Sequence, residues 1–252
     1  TGMIHGNWSD KEAMQSVDIL LSALGSKPLP ENERFEQVVE VMPEGERFRF
    51  SREVEDNNNS LAYAIQVGEK DFSLMAKVSM IASIVESDFY TQMRTNQQLG
   101  YIVWSFNQRI EDRIFFRLVI QSSTHGPFEL SKRVNAWMAS TEKLFSKLTD
   151  QEFERHQQSL IVALEKKGDS IGAIAGDLYA LAADEKGDFR FKKKLIQAVK
   201  DLKKEGVAKT AGKIFRDDST PRLEVLMRAK GSKEKVPEGV ITETKKFKNQ
   251  LN

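Results

Sequence analysis

Apolar residues in this chain recur at two spacings, and the places where one spacing gives way to the other mark its elements. Residues 3–5 read as a short apolar strand ending at the Gly6-Asn7 turn signal. Ser9, with Glu12 three positions on, forms a capping box. The helix it starts puts Ala13, Val17, Leu20, Leu21 and Leu24 on one face before Gly25 stops it. Residues 36–42 and 46–54 alternate apolar and polar around Pro43-Glu44-Gly45, the pattern of a β-hairpin. After the loop Asp56–Asn59, residues 60–67 predict a strand and residues 71–97 a long helix. That helix carries Phe72, Met75, Ser79, Ala82, Val85 and Phe89 at helical spacing and ends at Gly100. Strands follow at 101–110 and 113–123 around Glu111-Asp112. Helices are predicted at 127–147 and 150–167, the second opened by a Thr149–Glu152 capping box. Shorter helices at about 170–185, 190–200 and 201–215 and a strand at 222–229 complete the pattern.

Strands and helices come in groups rather than in strict alternation. That predicts an α+β fold, a mostly antiparallel sheet with helices packed on one face. The run GSKPLPENER at 25–34, rich in Pro, Gly and charge, is the natural linker. The expected organisation is therefore residues 1–24, a linker at 25–35, a domain over 36–230 and a loose, charged tail at 231–252.

Composition narrows the function classes. With 38 basic and 37 acidic residues the net charge is +1, so nothing calls for nucleic acid or an anionic membrane as partner. No apolar run approaches the ~20 residues of a membrane span. There are no cysteines, which excludes disulfides and thiolate zinc sites. A soluble protein of cytoplasm or periplasm is expected. The opening Thr1–Asn7 lacks the basic start and long apolar stretch of a signal peptide. It reads as the middle of a strand, so a fragment of a longer protein is expected.

The segment with most chemical content is FYTQMRTNQQLGYIVWSFNQRIEDRIFFRLVIQSS at 89–123. Arg94 falls in the last turns of a predicted helix and Tyr101 at the start of the next strand, with Gly100 between them for a sharp turn, often at positive φ. Such a turn can bring a guanidinium with five fixed donors and a phenol to one surface. There they can bind the carbonyls of an extended peptide or a charge developing on one. The same two residues would equally serve as a surface ion pair and a half-buried strand aromatic. The block F-Y-x-x-[LM]-R-T-x-x-Q-L-G-Y at 89–101, the F-x-x-x-I-Q-S stretch Phe116–Ser122 and the helix opening Leu148–Phe153 resemble, in order, the last domain of the insulinase/pitrilysin family of zinc metallopeptidases. Ile4-His5-Gly6-Asn7 is similar to the last strand of that family's preceding domain. Residues 1–24 would then be the last strand and helix of the preceding domain, and 36–230 the C-terminal, zinc-free domain. The resemblance implies that Arg94 and Tyr101 bind substrate, reaching across an enclosed chamber to a peptide held near a zinc in the N-terminal part of the parent enzyme.

The family's zinc motif, H-x-x-E-H, is not begun by any of the three histidines, His5, His125 and His156. Glu152 and His156 share a helix face, which reads as a solvated face with a local hydrogen bond rather than a metal site. No catalytic residue and no cofactor are therefore assigned to this chain. The acidic residues Asp169, Asp177, Asp184, Glu185 and Asp188 follow no calcium-loop pattern. Lys192-Lys193-Lys194 and Lys200–Lys204 read as a solvated face balanced by nearby acids, and Gly168, Gly172 and Gly176 as close helix packing. Two functions remain. One is a domain that positions peptide substrate and closes the chamber of a zinc metalloendopeptidase, its partner being the zinc-bearing half in the same or another chain. The other is a catalytically inactive, peptidase-like partner subunit or scaffold. An H-x-x-E-H motif upstream in the gene separates them.

Overall fold

The computed structural model describes residues 2–25, 29–33 and 39–244. They divide into two compact units, one built from the N-terminal segment together with 165–193, the other from 39–164 and 194–244.

In the first unit, α1 (Asp10–Leu24) begins at the expected capping box. The Ser9 side chain accepts from the Glu12 N–H, the Glu12 carboxylate accepts from the Ser9 N–H at 2.9 Å, and Gly25 ends the helix in the left-handed region at φ 58°. The apolar stripe of α1 buries no residue; Leu20, Leu21 and Leu24 are each more than half exposed. Residues 2–5 are not a strand, because no ladder partner lies beside them among the described residues. The second helix of this unit, α5 (Ile171–Ala183), also buries no residue, and a Cβ at Gly172 or Gly176 would meet nothing within 4 Å among the described residues. The close helix packing expected of the three glycines is thus not formed at these two, while a Cβ at Gly168 would stand 2.8 Å from the Ala173 Cβ. Lys192, from the basic run, pairs with Asp177 at 2.7 Å.

The second unit holds a five-stranded sheet: β1 (Arg47–Glu53), β2 (Asn59–Glu69), β3 (Ile102–Ile110), β4 (Arg113–Ser122) and β5 (Arg222–Arg228). Their order is β1-β5-β2-β4-β3, antiparallel except for the parallel β1–β5 pair. The remaining helices are α2 (Phe72–Tyr90), α3 (Pro127–Lys147), α4 (Asp150–Glu165), α5 (Ile171–Ala183), α6 (Phe191–Lys200) and α7 (Lys204–Arg216). Against one sheet face, Leu61, Tyr63, Phe116, Leu118 and Ile120 bury with Ile81 and Val85 of α2, Leu130 and Val134 of α3, and Val207 and Ile214 of α7. Edge-on aromatic contacts run Phe89–Trp137–Phe215–Phe116, at centroid distances of 4.7, 5.5 and 5.1 Å, and tie α2, α3, α7 and β4 together. This is the expected α+β arrangement.

The expected hairpin of 36–42 with 46–54 is not formed. Residues 36–38 lie outside the described residues and 39–42 are not a strand. Instead the Gln66 side chain, on the sheet face away from the helices, pins Met42 by accepting from its N–H at 3.0 Å and donating to its carbonyl at 2.9 Å. Met42 packs there with Phe48, Ala64 and Phe115, and β1 takes β5 as its partner. The tail is not loose where it is described. Ile241 exchanges hydrogen bonds with Arg49 and Ser51 along the outer edge of β1, at 2.9 and 2.8 Å. The Glu234 carboxylate accepts from the Glu129 N–H at 3.3 Å at the start of α3, where the N-cap Gly126 has no side chain to do so.

One polar group is built into the core. The Tyr63 hydroxyl accepts from Asn135 at 2.7 Å and lies 3.3 Å from Ser131 Oγ, which donates to Glu224 at 2.8 Å. Burial first, and the Glu224 charge second, push its phenol far above the usual range. Tyr63→Phe is expected to lower unfolding stability by about 1 kcal/mol, because Asn135 and Ser131 lose a buried partner; chemical denaturation measures it.

Candidate functional site

The candidate site lies where α2 meets β3. Asp71 caps α2, accepting from the N–H groups of Ser73 and Leu74 at 2.8 and 3.1 Å. The helix then widens into one π-type stretch, Thr91–Asn96, closed by the Gln97 N–H donating to the Gln92 carbonyl at 3.2 Å. Such a wide turn adds a residue to the helix and turns the side chains after it, a device common at functional sites. Met93 and Leu99 anchor the turn in the core, both fully buried. Gln98 takes the left-handed conformation, at φ 53°. The expected positive φ at Gly100 therefore falls two residues earlier. Glycine is needed at 100 for another reason: a Cβ there would stand 1.9 Å from the carbonyl oxygen of Gln121 on β4.

Between these anchors Arg94 and Tyr101 come together. The Arg94 Nη1 donates to the Gly100 carbonyl at 3.1 Å and to the Tyr101 carbonyl. Its guanidinium carbon lies 4.8 Å from the centre of the Tyr101 ring and 5.7 Å from that of Tyr90, within the reach of cation–π attraction. No carboxylate pairs with Arg94 among the described residues. Tyr101 is not half-buried: it is 84% exposed. The guanidinium thus braces the turn through its carbonyls and the face of the tyrosine ring.

Sequence reasoning missed the aromatic neighbours. Tyr90, Trp104 and Phe106 line, with Ser83, Glu86, Ser87, Val103 and Ser105, a groove of about 600 Å³ beside the Arg94–Tyr101 turn. Their signal was alternation in β3 that leaves Trp104 and Phe106 on the face away from α2, with no covering layer in the chain order.

The histidines do other work. His156 Nδ1 lies 2.9 Å from Ser83 Oγ, and burial pulls its pKa below the ordinary histidine value. Glu152, its expected neighbour in a local bond, instead closes the second capping box with the Thr149 N–H at 2.9 Å. His125 Nδ1 meets Thr124 Oγ1 at 2.9 Å in the predicted turn. No three His, Asp or Glu side chains among the described residues are placed to hold a metal ion. The zinc that the resemblance implies has no ligand set among them, and no step is assigned to a metal here. Also among the described residues, no helix is long and apolar enough to cross a membrane.

Comparison with known proteins bears on the fold and on what the chain resembles. Residues 80–178 match the family model described as PQQ synthase PqqF-like, C-terminal lobe domain 4. A nardilysin-like protein of Arabidopsis thaliana is 27% identical over 91% of this chain and 23% of its own length. Human insulin-degrading enzyme is 25% identical over 88% of this chain and 22% of its own length. The crystal structure of pitrilysin superposes with a TM-score of 0.79 at 21% identity, over 94% of this chain and 26% of that one, and shares its fold. The chain spans about a quarter of the length of these relatives. Over most of its length the chain is thus similar to insulinase/pitrilysin-type M16 peptidases, and residues 80–178 are the stretch that matches the C-terminal-lobe model.

Proposed function

We propose that this chain positions peptide substrate and closes the chamber of a zinc metallopeptidase, with the zinc carried by the N-terminal part of the parent enzyme. In this reading residues 1–24 end the preceding domain, 25–35 link it, and 36–230 form the domain that presents the site. The observation that supports it is the exposure of Tyr101, 84%, on a turn braced by Arg94. An isolated strand residue gains nothing from holding a phenol in water, whereas a phenol held over a peptide can donate to its carbonyl. A fixed donor lowers a barrier only where the acceptor's charge grows in the transition state, and bracing it beforehand removes the cost of ordering it then. The share of this chain is therefore orientation and hydrogen bonding; activation of water falls to residues outside it.

Tyr101→Phe removes the donor and keeps the ring. In the full-length protein it is expected to lower kcat/KM for peptides about tenfold, the loss of one hydrogen bond worth about 1.4 kcal/mol, without a change in Tm. Cleavage at the wild-type rate would remove the phenol from the mechanism.

A further inference from the structure

β3 is the open edge of the sheet. At the opposite edge, β1 is covered by the chain's own Ile241 segment through two backbone hydrogen bonds. Among the described residues nothing pairs with the outer side of β3. An exposed edge leaves every second N–H and C=O unpaired, and proteins blunt such edges with short strands, prolines, lysines or bulges. β3 has none of these. It runs nine residues, Ile102–Ile110, contains neither Pro nor Lys, and keeps continuous register with β4 from Ile102↔Gln121 to Ile110↔Arg113. The neighbouring β2 does carry a register shift, at Gln66/Gly68.

The groove follows this edge. Four consecutive strand residues, Val103–Phe106, line it, so it is bounded by side chains from both faces of β3. Ser83, Glu86, Ser87 and Tyr90 form its other wall from one side of α2. Trp104 is 58% exposed and Phe106 36%. Ser105 Oγ is buried with no hydrogen-bond partner. Glu86 is the one carboxylate in the lining. It is exposed and has no ion-pair partner among the described residues. Tyr101 is the residue directly before β3, and the Arg94 guanidinium lies over both its ring and that of Tyr90 in the groove wall.

We propose that β3 takes an extended peptide as a sixth strand, continuous with the substrate path past Tyr101. The backbone ladder supplies affinity, Trp104 and Phe106 take alternate apolar side chains, and Glu86 selects a lysine or arginine on the α2 side. This rests on the substrate-positioning reading above and adds to it the form and charge of the substrate segment.

The test uses the full-length protein, with metal removed by a chelator so that nothing is cleaved. The probe is a peptide of about ten residues alternating Val and Thr with one central Lys, long enough to span β3. Amide exchange of residues 102–110 should slow at every second position on binding. N-methylation of the peptide at alternate residues in one phase should weaken binding about tenfold or more, and in the other phase leave it intact. Glu86→Lys should reverse the preference between the Lys probe and its Glu counterpart, with about a fivefold change. Protection already complete without peptide would mean that another part of the protein covers the edge, and overturns the proposal. So does binding indifferent to both N-methyl phases. Either result leaves the effects of Arg94 and Tyr101 on cleavage untouched, so the two readings fail separately.

Discussion

Gly100→Ala is expected to destabilise the fold by about 3 kcal/mol, the upper end for a side chain forced into filled space. The added methyl would stand 1.9 Å from the Gln121 carbonyl oxygen and 2.8 Å from its carbon, backbone atoms at the end of the β3–β4 pairing, where Gln121 faces Ile102. No rotamer change relieves a backbone contact. Either the turn Gln97–Tyr101 lifts off β4, or the start of β3 loses its pairing. For a chain of this size the cost corresponds to a fall in Tm of about 6–12 °C. Circular dichroism melts of the wild type and variant measure it. A shift under 2 °C would mean that the turn is free to move, and would remove the rigid support from the Arg94–Tyr101 arrangement as well.

Arg94→Ala is expected to lower kcat/KM for peptides about 100-fold in the full-length protein, about 2.7 kcal/mol of transition-state stabilisation. The variant loses the donations to the Gly100 and Tyr101 carbonyls and the guanidinium lying over the Tyr101 ring. Two effects then add: the phenol is no longer held, and any donor that Arg94 itself offers substrate is gone. Arg94→Lys keeps the charge but not the planar fork, so it should recover only part of the activity. Because Arg94 acts partly through Tyr101, the double variant Arg94→Ala/Tyr101→Phe should cost less than the sum of the single losses. Activity of Arg94→Ala within twofold of wild type would reduce the residue to a brace for the turn.

Much of the local structure was legible before folding is considered. The strands at 102–110 and 113–122, the helices of 127–147 and 150–165 and both capping boxes lie where period and cap residues put them. Arg94 and Tyr101 were marked by their motif, and their meeting required only a helix, a turn and a strand. Their roles within that meeting were not legible. The surface ion pair, the alternative that local spacing offers, gives way to donation into two backbone carbonyls. The groove was missed because its walls come from α2 and from β3 as an edge strand, and alternation along β3 does not say whether a neighbour covers its outer side.

What the sequence determined by itself is whatever depends on neighbours within a turn or two. Ser9–Glu12 and Thr149–Glu152 close hydrogen bonds three residues long, and Glu111-Asp112 turns one strand into the next. These choices are made by local sterics and local hydrogen bonds, which the order of residue types encodes directly. The tertiary structure alone decided the partners. β1 could pair with 36–42 or with β5, some 175 residues away, and its alternation is the same in both. Ile241 covers one edge and leaves β3 open. Gly100 is required by a carbonyl on another strand, not by its own φ. Pairing between distant strands depends on which combination buries the most apolar surface and leaves the fewest unpaired groups, a property of the whole chain that no single segment carries.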